Sequence, residues 1–244
     1  SQVFGLMLIP VILTFFIFFF TVQGNPGPKS LSAVSTRERS FLNFFKSLKD
    51  PFMYWLCFLY AVTFGGFVGF SSYLPIFLHD QYQVGMVLAG ALTALCGFAG
   101  SLARPFGGFV ADRIGGLSLL KGLFWGIAFL CFLLSGIFEF AGLALAMVLI
   151  VLMMGGLGFG NGVIFQVVSS RFSRIMGTAS GLIGAAGGLG GFFLPVWFGW
   201  LKDVSGVFSS GFWVFGIILG IAGISAMMVH RSVGSSLPEP VEEF

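Results

Sequence analysis

Seven apolar runs, each close to twenty residues or longer and separated by polar connections, decide what this chain can fold into. They are approximately Val3–Val22, Met53–Leu78, Val84–Val110, Leu117–Phe138, Ala141–Ser169, Gly177–Leu201 and Gly211–Val229. A helix needs roughly 20 apolar residues to cross the hydrocarbon of a bilayer. Inside it, the backbone must satisfy its own hydrogen bonds, so a series of such runs folds as spanning helices. The expected fold class is an all-α membrane protein. Composition agrees: 57% hydrophobic and 9% charged residues exclude a soluble globular domain. The 37 glycines suit helices that approach closely in lipid.

The connections are short except one. Residues 23–50 carry Pro26, Pro28, Ser30, Ser32, Ser35 and the basic residues Lys29, Arg37, Arg39, Lys46 and Lys49. Arg113 and Lys121 fall in the third connection, Arg171 and Arg174 in the fifth, and Arg231 in the C-terminal tail. The alternate connections hold only Lys202 as a cation, beside Asp80, Glu139 and Asp203. The positive-inside rule then places the linker and C-terminus in the cytoplasm and the N-terminus outside, and a plasma (inner) membrane is the expected location. The net charge of +3 therefore orients the chain and carries no indication of a nucleic-acid partner.

One span, a long basic linker and six tightly connected spans match the remainder of a twelve-span, two-bundle transporter cut before its sixth span. The chain opens on Ser-Gln-Val within an apolar run, without a signal-peptide pattern, and the start reads as lying inside a larger protein. The expected organisation is residues 1–22 as the last span of an N-terminal bundle and 23–50 as a cytoplasmic linker. Residues 51–231 form a C-terminal six-helix bundle, and 232–244 a cytoplasmic tail. The missing first half of the same polypeptide and the bilayer are the expected partners.

Arg104 stands out because it is the only charged side chain well inside a hydrophobic run. A cation in hydrocarbon costs a few to more than about ten kcal/mol and persists by facing a water-filled cavity, a partner or a ligand. An anion would serve as that ligand. The plain alternative is snorkelling toward the cytoplasmic interface, since Asp112 lies eight residues, about 12 Å of helix rise, further on. The three cysteines, Cys57, Cys96 and Cys131, lie in apolar runs with no CxxC pair and no adjacent His, and read as small buried apolar residues. No metal or cofactor is expected. Nor is an enzyme, because the spans hold no nucleophile–base pair and no phosphate-cradling loop.

After the third run comes Gly108-Phe109-Val110-Ala111-Asp112-Arg113-Ile114-Gly115-Gly116. It resembles the G-x-x-x-D-R-x-G-x loop motif of the major facilitator superfamily, in its second-half copy. Gly108, Asp112 and Arg113 are then gating candidates: Asp112 can meet a basic side chain or a helix N-terminus, and breaking that contact would bias which side the cavity faces. An ordinary helix-capping turn is the alternative. The sixth run contains Gly181-Leu182-Ile183-Gly184-Ala185-Ala186-Gly187-Gly188-Leu189-Gly190-Gly191-Phe192-Phe193-Leu194-Pro195. Gly184 and Gly188, and Gly187 and Gly191, are spaced i, i+4 and predict grooves for helix packing.

That run also resembles the second-half signature of the nitrate/nitrite porters within the same superfamily. Three further segments are similar to the same family, in the expected order: Leu59–Phe67, Ser101–Pro105 with the Asp112-Arg113 turn, and Gly158–Gln166. The resemblance implies that Arg104 is one of two arginines clasping an anion. It further implies that Tyr60 hydrogen-bonds the substrate, Phe64 walls the site and Gly184 borders the cavity. The partner arginine and a site asparagine would belong to the first half, so Asn161 is not that asparagine. Phe165 reads as lining or packing, and Gln166 as a cavity group or an interhelical pair.

The expected function is secondary transport of nitrate and nitrite by alternating access. Nitrate is planar and weakly hydrated, which suits the planar, permanently charged fork of Arg. No Asp, Glu or His lies deep within a run, which favours exchange over proton-coupled symport. A carrier of another small anion, proton-coupled nitrate symport, or a sensor on the same scaffold are the alternatives.

Overall fold

The computed structural model describes residues 2–21, 50–138 and 140–234. All regular structure among them is helical, and six helices are long and apolar enough to cross a membrane. Two compact units divide at Arg39 and Ser40.

The first unit contains α1 (Gln2–Thr21). Pro10 lies inside it, where the ring removes one helical hydrogen bond. Thr14 Oγ1 donates to the Pro10 carbonyl at 2.7 Å, and Phe15 stacks on Phe19 as Phe16 does on Phe20. The expected linker, residues 23–50, lies outside the described residues save Asp50, as does most of the tail.

The second unit contains α2 (Pro51–Tyr82), α3 (Met86–Ile114), α4 (Gly116–Ile137), α5 (Leu143–Arg171), α6 (Met176–Ser205) and α7 (Ser209–Gly234). Each helix reaches past the apolar run that predicted it at one end or both. The ends are set by local chemistry. Asp50 accepts from the Phe52 N–H at 2.9 Å and Pro51 occupies the first turn, a strong helix start. Gly115 (φ +92°) separates α3 from α4, and Gly206 (φ +74°) ends α6 with its N–H donating to Lys202 O at 2.7 Å. Both positions favour glycine, the residue without a Cβ. A short 3₁₀ turn, Ser173–Ile175, joins α5 to α6.

The helices pack chiefly as three pairs: α3 with α5, α2 with α6, and α4 with α7. Glycines make two of these pairs backbone-close. A Cβ on Gly65 would fall 2.8 Å from the backbone of Gly190, and one on Gly107 would overlap the Phe159 carbonyl. A Cβ on Gly158 would likewise overlap the Gly100 carbonyl. Phe70, Phe77, Phe138, Phe198 and Phe212 interlock with ring centroids 4.7–6.1 Å apart. The outer surface keeps large apolar side chains exposed, including Val87, Phe129 and Leu152, as a lipid-facing surface requires.

Candidate functional site

Four of the six helices converge on Arg104. On α2, Tyr60 and Phe64 are one turn apart and so share a face. Their rings are parallel within 4°, with centroids 5.1 Å apart. Phe165 on α5 sets its edge against Tyr60 at 5.2 Å and 84°. The Arg104 guanidinium carbon lies 5.3 Å from the Phe64 centroid, within cation–π range. Gly187 on α6 closes the back: a Cβ there would come within 2.6–2.8 Å of ring atoms of Tyr60 and Phe64.

Arg104 itself is half-buried, and its Nε is buried without a hydrogen-bond partner among the described residues. Among the described residues no carboxylate pairs with it; the ion pair there joins Lys202 Nζ to Asp80 Oδ2 at 2.8 Å. Pro105 follows inside the same helix and cannot donate to the carbonyl one turn back. The site is thus a fixed cation with aromatic and glycine walls. Such a surface has the charge and shape to suit a small anion, and no carboxylate among the described residues neutralises it first.

The structure brings Arg104, Tyr60, Phe64 and Gly187 together and adds Phe165. Gly184 is half-buried on the same helix as Gly187, with open space where a side chain would stand. Gly191 packs against Val68, but Gly188 is exposed and meets no neighbour among the described residues. The tight partner to α2 at that level is Gly190, whose Cβ would overlap the Ala61 carbonyl. Asp112 and Arg113 are exposed at the end of α3. Arg113 lies 4.3 Å over Phe109, one turn back, and Asp112 forms no ion pair among the described residues. Gly108 makes an ordinary contact with the Gly162 carbonyl, while its neighbour Gly107 takes the close approach.

Gln166 belongs elsewhere. Its Nε2 donates to Ser170 at 3.0 Å, and it lines a cavity of about 440 Å³ with Gly116, Ser118, Arg171 and His230. His79 pairs its Nδ1 with the Val84 carbonyl at 2.8 Å, tying the end of α2 to the next connection. Sequence reasoning missed the burial of Asn161, which is fully enclosed with both amide atoms unpartnered among the described residues. The glycines on either side, Gly160 and Gly162, were the signal: Gly162 meets the Arg104 carbonyl too closely for a side chain, and Gly160 packs against Leu123 and Thr63.

The sequence profile of the Major Facilitator Superfamily matches residues 1–195. The chain belongs to the major facilitator superfamily. Six membrane-spanning helices and the resemblance of the Asp112-Arg113 turn accord with that membership. Among curated relatives, the "Nitrite extrusion protein" of Bacillus subtilis (strain 168) is 35% identical over 169 residues, covering 67% of this chain and 41% of the relative. The "Probable nitrate/nitrite antiporter NarK1" of Thermus thermophilus is 29% identical over 91% of this chain and 52% of its own length. The "Probable nitrate/nitrite transporter NarK2" of Mycobacterium tuberculosis (strain ATCC 25618 / H37Rv) is 40% identical over 63% and 38%. The chain therefore spans about half the length of the relatives it matches.

Proposed function

We propose that this major facilitator chain is the C-terminal half of a carrier that moves nitrate and nitrite across the membrane by alternating access, most directly by exchange. The observation that carries the reading is Arg104, a cation seated over Phe64 beside Tyr60 with no carboxylate among the described residues to neutralise it. The names of the relatives support the substrate, and one of them is called an antiporter. Arg104 would supply a planar N–H fork to one face of the anion, Tyr60 a hydroxyl donor and Phe64 a flat wall. Gly184 would border the space the anion occupies. The opposing wall and a second arginine would come from an N-terminal bundle, to which α1 would belong, with residues 23–50 as the cytoplasmic link. Asp112, Arg113 and Gly108 would take part in the cytoplasmic gate.

Two opposed guanidinium groups repel when the site is empty, which disfavours closure without an anion and couples influx to efflux. The described spans bring no carboxylate or imidazole to the level of Arg104, which supports exchange over proton coupling. The test uses the full-length transporter in liposomes, measuring labelled nitrate uptake with and without internal nitrite. Uptake should depend on the counter-anion. Equal uptake into nitrite-free vesicles, driven by an imposed proton gradient, would establish symport and overturn exchange.

A further inference from the structure

Four buried side-chain nitrogen or oxygen atoms lack a hydrogen-bond partner among the described residues, and three of them belong to two residues, Arg104 and Asn161. Burying a polar atom without a partner is costly, so such a pair requires a physical account.

The two residues are neighbours across the α3–α5 seam. Gly162, next to Asn161 in sequence, lies against the Arg104 carbonyl, and a Cβ on it would also fall 2.8 Å from the Gly108 nitrogen. The direction of Asn161 follows from helical spacing. Leu157, one turn before it, meets the Gly66 position on α2, and Phe165, one turn after it, meets Tyr60. Residues four apart share a face, so Asn161 lies on the stripe of α5 turned toward Tyr60 and Phe64. Arg104, reaching to Phe64, enters the same space from α3. Its Nε is enclosed there, while the residue as a whole is only half-buried, leaving the terminal nitrogens on the more open side.

We propose that Asn161 is a positioning residue for Arg104: its Oδ1 takes up the Nε–H, through one bridging water, and so sets the plane of the guanidinium. The terminal N–H fork then faces the anion at a fixed tilt. The inference rests on the anion-binding reading of Arg104 above. It gives Asn161 a role distinct from touching the substrate: Nε–H and Oδ1 are a buried donor and acceptor that complete each other, and a bidentate fork binds well only if its plane is held.

Two measurements on the full-length transporter test it. In detergent, with ¹⁵N-labelled arginine and the Arg104 signal assigned by its loss in Arg104→Lys, the Nε–H should exchange slowly with water. Asn161→Leu should make that exchange fast, whereas Asn161→Asp should keep it slow. Nitrate affinity, read as protection against thermal unfolding, should fall about tenfold in Asn161→Leu. Asn161→Asp should also bind nitrate weakly, because its carboxylate neutralises the cation. In an Arg104→Lys background, which has no Nε–H, Asn161→Leu should add less than about twofold. An Nε–H unprotected in the parent, or equally protected in Asn161→Leu, would overturn the proposal. So would an equal loss of affinity in both backgrounds. A protected Nε–H in a protein that does not bind nitrate would leave the positioning role standing and remove the nitrate reading instead.

Discussion

Gly162 on α5 sits directly against the carbonyl oxygen of Arg104 on α3, with no room for a side chain between them. The contact fixes the backbone height of the one charged residue in the middle of the bundle. Replacing Gly162 with Ala forces α3 and α5 apart, because the obstructing atoms are backbone rather than a movable side-chain tip. Overpacking of this kind costs about 1–3 kcal/mol. Thermal unfolding of the full-length transporter in detergent should show that loss. Gly126→Ala, in α4 with open space around it, should be neutral or stabilising by up to about 1 kcal/mol.

Arg104→Lys keeps the charge and loses the planar fork. Hydrogen bonds to charged groups are worth about 1.5–3 kcal/mol, so nitrate affinity should fall about ten- to a hundredfold while the protein remains folded. Exchange of labelled nitrate in liposomes, read as KM, measures it. Near-parental KM in Arg104→Lys would remove the planar recognition of the anion.

Gly187 holds the position closest to the aromatic pair. A methyl group there would strike Tyr60 and Phe64 together and displace the surface on which Arg104 rests. Gly187→Ala should therefore raise KM for nitrate at least about tenfold, through lost alignment. A Gly187→Ala protein with parental KM would show that the Tyr60–Phe64 stack does not shape the site.

The Lys202–Asp80 ion pair is short but wet, with side chains 31% and 37% exposed. Exposed pairs contribute about 0.2–1 kcal/mol and are screened by salt. A double-mutant cycle of Lys202→Ala and Asp80→Ala should give a coupling below about 1 kcal/mol that shrinks in high salt. Loss of Lys202 should cost more than loss of Asp80, since its Nζ also lies 4.2 Å from the Phe208 centroid.

The bundle was legible because length and polarity alone define a spanning helix, so six apolar runs became six helices. Their ends were less so: Asp80 and Gln81 read as a polar connection yet continue α2, because a helix emerging from the apolar layer retains its hydrogen bonds. At the site, the Tyr60–Phe64 stack follows from i, i+4 spacing within one helix. Which glycine of a run faces a neighbour does not follow from spacing. Gly107 rather than Gly108, and Gly190 rather than Gly188, take the close approaches, because each step along a helix turns about 100° and only the packed bundle selects between the faces. Asn161 was hidden for the same reason, since a polar residue between two glycines shows its burial only when three helices are in place.

The seam of bare backbone between α3 and α5 has a mechanical consequence. Glycine against carbonyl at Gly158–Gly100, Gly107–Phe159 and Gly162–Arg104 makes three points of steric registry along two parallel rods. Rods keyed in this way cannot slide past one another without separating first. Arg104 must therefore travel with α5 as cargo on a single stiff beam. Pro105 breaks the hydrogen-bond ladder inside that beam, but between keyed points that pin α3 to α5, so bending is left to helices outside it, where Pro75 in α2 and Pro195 in α6 interrupt the ladder too.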